Sequence, residues 1–114
     1  MVTVVKPAVV QNKLKTIIHN IVRGYDPERI IIFGSYAQGN WEEGEPVDMI
    51  ILKETDDDFE ERLEKIKPYY SDGLAVNPIV LTEEEIHLNL AADSELINEV
   101  IREGVVVYEK NGEA

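Results

Sequence analysis

Gly34 and Ser35 close the apolar segment RIIIF, and a short spacer later Asp48 opens a second one, VDMIIL. A glycine directly after a buried strand lets the backbone turn sharply and approach a ligand, while the serine beside it offers a hydroxyl and an amide. If SYAQG starts a short helix, its free amides add to such an anion nest. An aspartate on the next segment could then hold a hard cation against a phosphate, because magnesium and calcium want oxygen ligands. The same residues have a plainer reading: an ordinary turn, and a strand-end carboxylate that pairs with Arg29 or Lys53.

The surrounding elements must position these residues. Val10, Leu14, Ile17, Ile18, Ile21 and Val22 recur at helical spacing, which predicts an amphipathic helix ending near Gly24 and Asp26-Pro27. RIIIF and VDMIILK read as two strands. A helix begins among Asp56 to Asp58, where carboxylates cap it and suit its dipole, with Phe59, Leu63, Ile66 and Tyr70 on the inward face. Glu61 and Lys65 pair one turn apart, and Pro68 marks the end. LAVNPIVL is a third strand, placed at an edge or a bulge by Pro78.

Thr82 and Glu85 form a capping box for a helix carrying Ile86, which restarts at Ser94 with Leu96, Ile97, Val100 and Ile101 inward and stops at Gly104. VVVYE is a short fourth strand before a frayed polar tail, KNGEA. The order α, β, β, α, β, α, β, without an internal repeat, describes one α+β or α/β sheet domain over residues 1–114.

Composition narrows the function. A net charge of −12 on 114 residues repels a nucleic-acid backbone, so generic DNA or RNA binding is excluded and a basic protein partner is favoured. A single nucleotide held with a divalent cation stays open. The chain has no cysteine, so any metal must be held by oxygen or imidazole. No secretory signal and no apolar run of membrane-spanning length is present, which makes the cytoplasm the expected compartment. Abundant Ile, Val, Glu and Lys hint at a heat-adapted source.

GSYAQG, preceded by RIIIF and followed by VDMIIL, resembles the signature of the minimal nucleotidyltransferases, small members of the DNA polymerase β superfamily that include antitoxins of the MNT type. The resemblance extends from the leading helix through VLTEEE to INEVIREGVVVYEK. It implies an α+β fold, a small mixed β-sheet flanked by helices in the arrangement of the polymerase β palm. It also implies transfer of a nucleoside monophosphate from a magnesium-bound nucleoside triphosphate such as ATP to a hydroxyl acceptor. In the family an Asp-x-Asp pair and a third carboxylate on the next strand hold two magnesium ions, which stabilise the attacking and leaving oxygens. On this chain the resemblance puts Gly34 and Ser35 at the phosphates and Asp48 on the metal as the catalytic carboxylate. Many such proteins act on a helical HEPN-type partner, and a basic one would suit the acidic charge.

The chain departs from the family pattern at three positions. Pro46 stands where the first aspartate belongs, and neutral Asn77 takes the place of the third carboxylate. Asn77 can ligate a metal through its carbonyl but cannot accept a proton, so magnesium binding is expected to be weak or lost. Gln38 replaces a basic residue expected after GSYA. Glu43, Glu45 and Asp72 are near enough in sequence to substitute, although this acidic stretch makes a fortuitous carboxylate the simpler reading. Trp41, Tyr69 and Tyr70 could stack on a base, but packing is the commoner role. His19 and His87 have no second ligand at metal spacing.

Two functions follow: a weakened nucleotidyltransferase, or a catalytically inactive scaffold that binds a partner in the manner of an antitoxin. Small size and an edge strand make a homodimer or a hetero-complex reasonable for either.

Overall fold

Strands that are apolar at successive positions must be covered on both faces. The computed structural model describes residues 8–70 and 73–110, with side chains from residue 11 onward, and places four strands in one sheet. These are β1 (Arg29–Phe33), β2 (Val47–Leu52), β3 (Val76–Leu81) and β4 (Val105–Glu109), in the order β3-β2-β1-β4. β1 runs antiparallel to β2 and β4, whereas β2 and β3 are parallel. A parallel pair needs a crossover, and the segment between these two strands contains a helix. The fold is therefore α+β with a mixed sheet and helices on both faces.

The helices are α1 (Ala8–Tyr25), α2 (Gly34–Gln38), α3 (Phe59–Ile66), α4 (Glu83–Ala91) and α5 (Glu95–Glu103), and a single 3-10 turn, Lys67–Tyr69, follows α3. On one sheet face Ile30, Ile32, Val47, Met49, Ile51 and Val80 pack with Leu14, Ile17 and Ile21 of α1 and Ile66 of α3. On the other, Phe33, Ile50 and Leu81 pack with Ile97 and Val100 of α5. Burying a side chain such as Ile21 or Ile50 contributes about 1.5–3 kcal/mol, and these two layers hold the sheet rigid beneath the candidate site. Among the described residues no helix is long and apolar enough to cross a membrane.

The caps lie where the sequence places them. Asp58 caps α3 in a capping box with Glu61, Thr82 caps α4 in one with Glu85, and Ser94 caps α5. SYAQG does form a short helix, and Pro78 does lie on an edge strand. Three expectations fail on packing. Phe59 is 56% and Ile101 64% exposed, and Leu63 is exposed as well, so none of the three faces inward. Beside Ile66, the buried side chain of α3 is instead Arg62, 5% exposed, which donates to the carbonyl of Val80 and to both carboxylate oxygens of Glu85. Its aliphatic stem and satisfied guanidinium let it fill an inward position, and Phe59 lies over it, 4.6 Å from ring centre to guanidinium carbon. Lys65 pairs with Asp57 rather than Glu61, whose carboxylate caps the amide of Asp58. Val10 and Asp72 lie outside the described side chains, as do residues 111–114 of the tail.

Candidate active site

The candidate site is built where β1 meets α2. Gly34 has φ +74°, a left-handed conformation that an L side chain rarely adopts, and this turns the chain from strand directly into helix. The antiparallel register sets Phe33 opposite Asp48, and the parallel register sets Asp48 opposite Asn77. Strand alternation then points Asp48 and Asn77 to the same face as Ile50, Ile79 and Leu81.

The carboxylate of Asp48 is engaged on both sides. Asn77 Nδ2 donates to its Oδ1 at 2.9 Å. Its Oδ2 lies against Gly34 so closely that a Cβ there would sit 2.4 Å away. Neither Arg29 nor Lys53 holds it: Arg29 pairs with Glu109, and Lys53 Nζ donates to the carbonyl of Asp26 and lies over the ring of Tyr25. The strand-end ion pair is therefore replaced by an amide–carboxylate bond.

The serine of the turn is also occupied. Ser35 Oγ donates to Glu45 Oε1 at 3.2 Å, and the same oxygen accepts from the amide of Glu42 at 2.7 Å. Trp41 Nε1 donates to the carbonyl of Glu45 and its ring meets Tyr36 edge-on, 5.8 Å between centroids, so the loop between α2 and β2 is pinned to the turn. Burial raises the Tyr36 phenol above its ordinary value, which keeps it neutral. Gln38, at the position where a basic residue would meet phosphate, donates to Glu103 of α5.

These residues do not fit a two-metal centre. Among the described residues no group of three or more His, Asp or Glu side chains is arranged to hold a metal ion. Pro46 contributes no ligand, Asn77 presents its amide donor to Asp48, and Glu45 is turned to Ser35. Glu43 is exposed on the loop, and Asp72 lies outside the described residues. A cleft bordered by Glu28, Glu54, Glu83, His87 and Glu109 includes Leu52, at the far end of β2, roughly 13 Å along the strand from Asp48. Trp41, Tyr69 and Tyr70 are half-buried against the core, as packing residues should be, and His19 and His87 are exposed.

The family model for polymerase β nucleotidyltransferases matches residues 12–113. The chain belongs to that family. As a nucleotidyltransferase-family protein it shares its fold with a family member from Sulfolobus solfataricus at a TM-score of 0.59, with 14% identity over 96% of each chain. Two mutant forms of the MntA–HpeT toxin–antitoxin match at TM-scores of 0.53 and 0.52, with 18% and 19% identity over 89% of this chain and 74% and 73% of theirs. No curated protein matches in sequence. At these identities the likeness establishes the nucleotidyltransferase fold. The sheet that carries the turn and Asp48 thus has the family's fold.

Proposed function

We propose that the protein is a nucleotidyltransferase-fold binding module that has given up nucleotidyl transfer and works by holding a partner protein, in the manner of an antitoxin. One observation carries this reading: the only carboxylate left in the family register, Asp48, is hydrogen-bonded by Asn77 and folded onto Gly34, the surface a phosphate would need. An anion brought to Gly34 would meet this carboxylate and that of Glu45 on Ser35, and among the described residues no cluster of metal ligands offsets the repulsion. The fold likeness to the MntA–HpeT pair and the net charge of −12 support a helical, basic partner of the HEPN type.

The second reading is residual transfer of a nucleoside monophosphate from a magnesium-bound triphosphate to a hydroxyl on that partner. Its support is the Gly34-Ser35 turn within contact of Asp48, the residues that the resemblance puts at the phosphates and the metal. Calorimetric titration with ATP and magnesium, for the wild type and Asp48→Ala, separates the two. The binding-module reading expects no magnesium-dependent heat in either protein, together with a stable complex when the chain is co-purified with a HEPN-type protein. Magnesium-dependent ATP binding that disappears in Asp48→Ala would instead establish the transferase reading.

A further inference from the structure

The open edge of the sheet lies at β4. β4 is bonded to β1 on one side, and among the described residues no strand pairs with its other side. Edge strands are usually protected by proline or charge, and the opposite edge, β3, carries Pro78. β4 carries neither between Val105 and Tyr108, and its three consecutive valines are 49%, 52% and 40% exposed. Beside it, α1 forms the second wall of an apolar groove whose floor includes Leu14, Ile18, Val22, Tyr36, Val107 and Tyr108.

The rim of this groove is charged opposite to the rest of the molecule. The chain has 23 acidic residues, yet AVVQNKLKTIIHNIVRGY, the whole of α1, contains none and holds Lys13, Lys15 and Arg23. Spacing of four aligns Lys15, His19 and Arg23 in one row along the helix, and Lys15 and His19 border the groove. Among the described residues none of the three makes an ion pair or side-chain hydrogen bond. Lys15 and Arg23, unpaired on so acidic a chain, are available to carboxylates of a ligand.

We infer that the β4 edge and the α1 groove take up an extended segment of a partner protein in which apolar residues alternate with Asp or Glu. Such a segment would add to β4 as a fifth strand: its main chain pairs with the open edge, every second side chain enters the groove, and its carboxylates meet Lys15, His19 and Arg23. This surface lies apart from Asp48 and holds whether or not nucleotide is bound.

The test uses the full chain and two labelled peptides, one of alternating valine and glutamate and one of alternating valine and lysine. Fluorescence anisotropy reads affinity, and amide exchange reads protection of Val105–Glu109. Overall charge attraction favours the lysine peptide, so a preference for the glutamate peptide reports the local rim. The expected result is binding of the glutamate peptide with protection of β4, weakened at least tenfold in the surface double variant Lys15→Glu/Arg23→Glu at unchanged melting temperature. Absence of binding, equal protection of β4 by the lysine peptide, or unchanged affinity in the double variant would overturn the inference. A dimer in sedimentation with β4 protected before any peptide is added would overturn it too, in favour of a second copy.

Discussion

Asn77 and Asp48 stand directly opposite in the parallel β2–β3 register, and the amide of Asn77 donates a 2.9 Å hydrogen bond to the carboxylate. A carboxylate at residue 77 would turn this bond into like-charge repulsion. Asn77→Asp is therefore expected to lose about 1–2 kcal/mol of stability at neutral pH, read by urea denaturation. Adding Pro46→Asp restores three carboxylates in the family register, so magnesium should raise the melting temperature of the double variant and leave the wild type unchanged. Equal magnesium stabilisation of both proteins would show that the wild-type site already holds the ion.

Gly34 and Asp48 constrain each other sterically. In Gly34→Ala a Cβ meets Asp48 Oδ2 at 2.4 Å and the residue is held at φ +74°, so a loss of about 1–3 kcal/mol is expected. Asp48→Ala removes the first cost and leaves the second. The double-mutant cycle should then show a favourable coupling of about 0.5–2 kcal/mol, while simple additivity would mean that the two residues do not touch in solution.

The buried guanidinium of Arg62 ties α3 to the start of α4. It binds Glu85 through two nitrogens, at 2.7 and 3.0 Å, and also donates to the carbonyls of Val80 and Asp57. Arg62→Met leaves Glu85 with only the amide of Thr82 and takes the guanidinium from two carbonyls, and a loss of about 3–5 kcal/mol is expected in urea denaturation. Because the penalty comes from an unpaired charge, adding Glu85→Met should recover part of it. A loss below about 1 kcal/mol for Arg62→Met would mean that water replaces the guanidinium.

What was legible in the sequence was local. The caps at Asp58, Thr82 and Ser94 depend on a side chain three residues from the amide it bonds, and the losses at Pro46 and Asn77 depend on spacing within a strand. Contacts made across the chain were not legible. An arginine between Glu61 and Leu63 reads as solvent-facing, and only the Val80 carbonyl and the Glu85 carboxylate, distant in sequence, make Arg62 an inward residue. Ser35 and Glu45 meet because the intervening loop is pinned by Trp41. Pro78 marks β3 as an edge, but that β4 is the other edge follows from strand order, which periodicity does not encode. The row Lys15, His19, Arg23 went unread in the sequence, because its meaning depends on the groove beside it.

The same ion pairs set the acid sensitivity of the fold. Hydrogen bonds from Arg62, ahead of those at Thr82, hold the Glu85 carboxyl below its usual value of 4.5, with burial opposing them. A hydrogen bond from Lys65 holds Asp57 below 3.8, again against desolvation. When the folded pKa is depressed, the unfolded chain takes up protons first. The stabilisation is then complete above about pH 5 and is lost as pH falls through the unfolded value towards the folded one. Melting temperature is accordingly expected to be insensitive to these two groups at neutral pH and to drop below about pH 4.5. Glu85→Gln should lower stability at pH 7 and flatten the acid limb, so that variant and wild type converge as pH falls. Parallel melting curves across the acid range would assign the acid loss to other carboxylates.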